Sequence, residues 1–142
     1  MKKFAVIVSI LALGTGVAIA DPAMDRENLM KSFGKSMGQL APYAKGEKAY
    51  DASAVLAALT TLDENAKKLD VVALFPEGVT GEAASPKIWE NFSDFQAHAD
   101  KFKADVATAV AAAPADQAAL GKQMGAIGAN CGGCHELYRI KK

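Results

Sequence analysis

Apolar residues along most of this chain recur every three or four positions, which is the spacing that lines one face of an α-helix. The chain is also rich in alanine, which favours helix over strand. Together these features predict four helices, A to D. Their apolar positions are Met30, Phe33, Met37 and Leu40 in helix A; Val55, Leu59, Leu62, Ala66 and Leu69 in helix B; Ile88, Phe92, Phe95, Ala99, Phe102, Val106 and Ala109 in helix C; and Leu120, Met124, Ile127, Cys131, Cys134 and Tyr138 in helix D.

Capping residues and prolines predict where these helices begin and end. A cap residue satisfies the free N–H groups of a first turn, and a proline is tolerated there but disfavoured further along the helix. The predicted bounds are Pro22 or Asp25 to Ala41 for helix A, which Pro42 should stop; Asp51 as the N-cap of helix B; Ser85-Pro86 to Pro114 for helix C; and Ala115-Asp116 as the start of helix D.

The stretch from Asp70 to Ala84 is the longest segment without helical spacing, and Pro76, Gly78 and Gly81 interrupt it. A link of this length is either functional or a long crossover between helices. Four amphipathic helices with two short links and one long link predict an all-α fold, an antiparallel four-helix bundle. If the bundle closes, helix A lies beside helix D.

The N-terminus has the pattern of a secretory signal. Lys2 and Lys3 precede an apolar run that ends in Ala18-Ile19-Ala20, a typical cleavage sequence. We expect cleavage after Ala20, a single mature domain over residues 21–142, and export to the periplasm without stable membrane insertion; a retained N-terminal anchor is the alternative. Without the two lysines the chain keeps 14 basic and 16 acidic residues, a net charge of −2, and it has no basic stretch typical of nucleic-acid binding.

Near the C-terminus, Cys131-Gly132-Gly133-Cys134-His135 contains both cysteines of the chain. C-x-x-C-H is the attachment motif of c-type haem, in which both thiols bind the haem covalently and the histidine coordinates iron. On a helix all three side chains can reach one flat cofactor. A structural zinc site would need further ligands, and the second histidine is the lone His98. A redox-active C-x-x-C would need a β-α-β context, which the pattern lacks.

With its C-terminal haem motif on the last helix, the chain resembles the class II cytochromes c, the cytochrome c′ superfamily. The resemblance covers essentially the whole mature chain. It is carried by Arg26 to Lys31, by Lys45 to Lys48 with Tyr50-Asp51, by Leu74-Phe75-Pro76, by Pro86 to Trp89, and by Cys131 to Arg139.

The resemblance implies one covalent haem c with His135 as the proximal iron ligand. The family divides by what occupies the opposite, distal position: an apolar residue in its five-coordinate, high-spin branch and a helix A methionine in its low-spin branch. The distal residue lies four positions after a helix A arginine, which here makes Met30 the distal ligand. From the residues alone, Met30 and Met37 share a face and either could serve, or both could simply fill the core.

Two arginines are further candidates for haem contacts. Arg26, one turn before Met30, could pair with a haem propionate. Arg139, one turn past His135, could border the proximal face, or it could simply favour the helix C-terminus. His98 is a poor ligand candidate because it lies one position off the apolar seam of helix C.

These features predict a periplasmic one-electron carrier with low-spin haem, and no acid–base or nucleophilic constellation suggests an enzyme. Its partners would be periplasmic redox donor and acceptor proteins, with a homodimer also possible. The alternative is a five-coordinate module that binds nitric oxide or carbon monoxide.

Overall fold

A computed structural model describes residues 21–81 and 83–140 of the chain. The predicted signal sequence lies outside these residues. The described part forms six helices, and its single β pairing is an antiparallel bridge between Ala84 and Arg139. The helices are α1 Pro22–Ala44, α2 Ala52–Ala66, α3 Val71–Leu74, α4 Lys87–Glu90, α5 Phe92–Ala112 and α6 Gln117–Tyr138.

The four long helices form the predicted bundle. α1 packs against α2 and α6, and α5 packs against α6 and α2, so the bundle closes and the first helix lies beside the last. Its interior consists mostly of the residues that the periodicity selected. The fully buried ones include Leu40, Val55, Leu59, Leu62, Val106, Leu120 and Ile127.

The predicted caps of α2 and α6 are in place, whereas α4 begins after Pro86 and Ser85 only accepts a hydrogen bond from the Lys87 N–H at 3.3 Å. The carboxylate of Asp51 accepts a hydrogen bond from the Ala54 N–H at 3.0 Å, and Asp116 accepts one from the Ala119 N–H at 2.8 Å. Asp21 caps α1 in the same way. These bonds satisfy donors that have no partner inside the first turn of a helix.

The prediction that Pro42 stops helix A was wrong, because α1 continues through Pro42 to Ala44. Pro42 has no N–H to donate to the carbonyl of Gly38, but the loss of this one hydrogen bond does not end the helix. The Pro42 carbonyl oxygen accepts hydrogen bonds from the N–H groups of Glu47 and Lys48, which turn the chain toward α2.

The prediction of one continuous helix C was also wrong. Asn91 leaves helical geometry, with φ −133° and ψ 46°, and separates the short α4 from α5. Ile88 and Phe95 on either side of this break are both buried, so the apolar spacing continues across it. Periodicity therefore could not reveal the break.

The described part of the link between α2 and α4, residues 67–81 and 83–86, is called the crossover below. It contains the short helix α3, whose N-terminal N–H groups are capped by Asp70. α3 packs against α1, so the crossover lies along the first helix of the bundle. None of the described helices is both long and apolar enough to span a membrane.

Candidate haem-binding site

The two cysteines lie on the last two turns of α6, where the helix is held against the core. The side chains of Leu120 and Ile127, earlier in the helix, and of Tyr138 at its end are buried in this core. Cys131 and Cys134, three positions apart, are half-buried and pack against this apolar core. Between the thiols, Gly132 has no atom within 4 Å of the place where a side chain would begin.

No disulfide joins Cys131 and Cys134, and before haem attachment their thiols favour the protonated form. Burial raises the pKa of Cys131, and it raises the pKa of Cys134 to about 11 with smaller contributions from Cys131 and Asp94. Neither cysteine is therefore activated as a thiolate nucleophile, which is the form that cysteine catalysis needs.

His135 is exposed at the end of the motif. Partial desolvation of the imidazole, and then the positive charge of Arg139, lower its pKa. Both effects favour the neutral ring, which is the form that ligates a metal. Two reduced thiols at the edge of an apolar core and a neutral imidazole on the same turn fit a covalently attached haem.

The zinc alternative has no support in the structure. Within residues 21–81 and 83–140, no three histidine, cysteine or acidic side chains are grouped so that they could hold a metal ion. A structural zinc site needs four such ligands in tetrahedral geometry.

Met30 is partly buried on α1 and packs against the core. Met37 and Met124 are partly buried as well, whereas Met24 is 57% exposed near the start of α1. The contact between α1 and α6 is the one that a distal ligand from α1 requires. The choice of Met30 over Met37 still depends on the spacing from Arg26 and stays a prediction.

Arg26 is 7% exposed, and the crossover surrounds its guanidinium. Nη1 donates to the carbonyl oxygens of Val79 at 2.8 Å and Leu74 at 3.2 Å, and Nη2 donates to that of Thr80. Burial lowers the pKa of Arg26, and the charge of Asp21 partly offsets this. Three of its five N–H donors are thus used, and at most two remain for a haem propionate, a contact that stays a prediction.

Arg139 is exposed and follows the last turn of α6. Its backbone N–H donates to the His135 carbonyl at 3.2 Å, and its side-chain charge acts on the His135 imidazole. The bridge to Ala84 fixes the backbone of Arg139 against the end of the crossover. Arg139 is thus close to the proposed proximal ligand, as the spacing suggested, while its contact with haem stays a prediction.

Sequence reasoning missed a polar cluster on α5 beside the motif. Asp94 accepts a hydrogen bond from the Tyr138 hydroxyl, and its carboxylate lies 3.6 Å from His98 Nε2. A side chain at Gly133 would begin 3.9 Å from His98 Cε1, so His98 lies against the haem motif although it is not placed as a ligand. Asp94 lies outside the apolar seam, and the sequence carries no local signal for its role.

A second missed contact fixes α6 just before the first cysteine. The buried Asn130 donates from Nδ2 to Asp105 on α5 at 2.6 Å and to the Ala126 carbonyl at 3.2 Å. Asp105 also forms an ion pair with the exposed Lys101. The hydrogen bond from Lys101 lowers the pKa of the Asp105 carboxyl, and the hydrogen bond from Asn130 lowers it further by a smaller amount. The pair joins the two helices one residue away from the haem motif.

Comparison with known proteins gives consistent results. The family model described as Cytochrome C′ matches residues 21–139. A cytochrome c-556 of Agrobacterium tumefaciens (strain II Chrys) is 52% identical over 118 residues, which cover 82% of this chain and 95% of the relative. A cytochrome c′ of Rhodopseudomonas palustris is 35% identical, over 99% of this chain and 97% of the relative.

Solved structures agree with the fold. A structure named "Cytochrome c' from Rhodobacter Spheriodes" superposes with a TM-score of 0.78 at 33% identity, covering 87% of this chain and all of that one. A ferrous variant of cytochrome c prime from Alcaligenes xylosoxidans with bound NO gives 0.78 at 30% identity, covering 86% and 95%. The chain therefore belongs to the cytochrome c′ family and is a monohaem cytochrome that binds haem c covalently through a C-x-x-C-H motif.

Proposed function

We propose that this protein is a periplasmic one-electron carrier whose haem iron is low-spin, with His135 as the proximal ligand and Met30 as the distal ligand. Cys131 and Cys134 would form the two thioether bonds. The haem, when bound, supplies the reversible one-electron chemistry of its iron. The chain's residues hold it covalently, provide the two axial ligands and surround it with apolar side chains.

The observation that carries this proposal is the position of Met30. It lies one helical turn after Arg26, is partly buried, and belongs to the helix that packs against α6. A thioether is a neutral, soft ligand that favours ferrous iron and raises the reduction potential, which suits electron transfer. The similarity to proteins named cytochrome c-556 supports a c-type cytochrome.

Replacing Met30 tests the ligation directly. In Met30→Ala we expect the ferric and ferrous spectra to change from low-spin to high-spin, and carbon monoxide to bind the ferrous protein rapidly, because the distal position loses its ligand. Met37→Ala is the matched control, since Met37 is also partly buried on α1. It should keep the low-spin spectrum. A high-spin spectrum in the unmutated protein would contradict the proposal.

The attachment itself is tested by mass. The purified protein should be heavier than its mature polypeptide by one haem, and acid–acetone extraction should not remove that mass. Cys134→Ser should leave a single thioether bond and change the ferrous spectrum.

Sequencing the N-terminus of the exported protein checks the cleavage after Ala20, because a protein that still begins at Met1 would show a retained anchor.

Gas binding is the second candidate function, because solved relatives from Alcaligenes xylosoxidans carry nitric oxide or carbon monoxide. In that case Met30 would pack beside the iron without coordinating it, or would leave readily. Rapid carbon monoxide binding by the unmutated ferrous protein would favour this function over electron transfer. Slow binding that Met30→Ala accelerates would favour electron transfer.

A further inference from the structure

The crossover is fastened to α1 by one side chain. The planar guanidinium of Arg26 donates hydrogen bonds to the three carbonyl oxygens of Leu74, Val79 and Thr80. Its carbon Cζ also lies 5.2 Å from the centre of the Phe75 ring, in cation–π geometry. A lysine has no planar fork and could not satisfy three carbonyls in these directions.

Gly81 lies directly against the Arg26 guanidinium, where it leaves no room for a side chain. Its φ is +56°, and a methyl group added there would stand 2.6 Å from Arg26 Nη2 and 3.2 Å from the Cβ of Ala23. The end of an arginine can usually move aside, but this one is buried and held by three hydrogen bonds. Any side chain at Gly81 would therefore displace the guanidinium from its carbonyl partners.

The fastened segment also contacts α5, and through α5 it is connected to the end of α6. Phe75, beneath the guanidinium, packs against Phe95 of α5 with ring centres 4.7 Å apart, and Phe95 packs against Tyr138 of α6 at 5.2 Å. The indole N–H of Trp89 donates to the Phe75 carbonyl at 3.0 Å, which fixes the same residue from α4. A continuous set of contacts thus runs from Arg26, one turn before Met30, to the end of the haem-bearing helix.

From these contacts we infer that Arg26 is a positioning residue: by fastening the crossover to the first turns of α1, it holds Met30 at the distal side of the haem and limits the access of diatomic ligands. This inference rests on the proposed ligation by Met30. The Arg26 side chain acts here through protein carbonyls, so this role is separate from any contact that it makes with a propionate.

Gly81→Ala tests the inference without changing Arg26 or any charge. Gly78→Ala is the matched control, because Gly78 also has a positive φ, +83°, but has no atom within 4 Å of an added methyl group. Both variants strain the backbone in a similar way, and only Gly81→Ala collides with Arg26. Three quantities are measured on the haem-loaded protein: amide hydrogen exchange in residues 71–81, the ferric methionine-to-iron charge-transfer band, and the rate of carbon monoxide binding to ferrous protein.

In Gly81→Ala we expect exchange in residues 71–81 to be about tenfold faster than in Gly78→Ala, as for the loss of about one hydrogen bond. The charge-transfer band should weaken and carbon monoxide should bind several-fold faster. Arg26→Lys, which keeps the charge, should give the same pattern and replaces Gly81→Ala if that variant does not fold.

Equal changes in Gly81→Ala and Gly78→Ala would overturn the inference. So would faster exchange with unchanged carbon monoxide binding and an unchanged band, because the fastening would then be structural only. If the unmutated protein lacks the charge-transfer band, the proposed Met30 ligation has failed. The exchange and binding rates then still decide whether Arg26 limits access to the distal side.

Discussion

Tyr138, next to the haem motif, is a buried residue whose hydroxyl contacts a charged side chain. Its hydroxyl donates to Asp94 and its ring packs against Phe95 and His98. Burial, followed by the hydrogen bond and the negative charge of Asp94, raises its pKa to about 12 from an ordinary value of 10.0. The folded protein therefore resists ionisation of this phenol more than the unfolded chain does.

This difference predicts a specific alkaline loss of stability. Above about pH 10 the unfolded chain releases the Tyr138 proton while the folded protein keeps it, so the free energy of unfolding falls from about pH 10 to about pH 12. Tyr138→Phe should be less stable at neutral pH by about 1 kcal/mol, because it lacks the hydrogen bond. It should also lose less stability in the alkaline range. Urea unfolding at several pH values checks this, and parallel curves for the two proteins would contradict it.

Residues of the site differ in how far the sequence alone could place them. The haem motif was predictable because all of its chemistry lies within five consecutive residues, and the family match agrees with it. The carbonyl partners of Arg26 were not predictable, because they lie about 50 positions away in a segment without periodicity. Asp94 was missed for the same reason, since only the packing of α5 on α6 brings it to Tyr138.

At the scale of elements, the register of α6 against α5 is fixed by a buried polar pair. Asn130 must find its partners inside the protein, and Asp105 and the Ala126 carbonyl supply them. Because Cys131 is the next residue, this pair also determines where the haem-bearing turns begin. Apolar contacts alone allow small sliding movements of packed helices, whereas a hydrogen-bonded pair favours a single register.

Asn130→Ala should lower the free energy of unfolding by about 1–3 kcal/mol, because it leaves a half-buried carboxylate without its amide partner. Lys101→Ala is the control: it removes the other partner of Asp105, but that lysine side chain is 64% exposed. Such an exposed pair contributes less than about 1 kcal/mol. Chemical unfolding of both variants measures the difference, and an equal or larger effect of Lys101→Ala would refute this account of the register.

The helices themselves were largely predictable because their caps and apolar spacing are local signals. The errors have physical causes that such signals do not contain. At Pro42 the loss of one backbone hydrogen bond does not end α1, which continues for two more residues. The break at Asn91 leaves the apolar spacing of Ile88 and Phe95 unchanged. The four-residue helix α3 is too short for periodicity to identify, and its Asp70 cap was the one available sign.

At the scale of the whole molecule, one closed core connects all four long helices. Residues buried on α1, α2, α5 and α6 belong to a single apolar cluster, and the half-buried cysteines lie at its edge. Under the proposed ligation, a haem attached there would be held by α6 through the C-x-x-C-H motif and by α1 through Met30. The position of the site therefore depends on the closure of the bundle.

A substitution far from the haem should consequently destabilise the whole protein. Leu59 on α2 is fully buried, with 0% of its surface exposed, whereas Leu56 on the same helix is 39% exposed. Leu59→Ala should lower the free energy of unfolding by roughly 2–5 kcal/mol, because it removes apolar contacts and leaves a cavity. Leu56→Ala should change it by less than about 1 kcal/mol.

Urea unfolding followed by circular dichroism and by haem absorbance measures both effects. If the core is one cooperative unit, the two signals should change together in Leu59→Ala, with a lower midpoint and an unchanged dependence on urea concentration. Separate transitions would mean that α2 unfolds independently of the haem-bearing helix. The same measurement at two protein concentrations detects a dimer. Association through the exposed face of α2 would make the stability of the unmutated protein rise with its concentration, and Leu56→Ala would weaken that dependence.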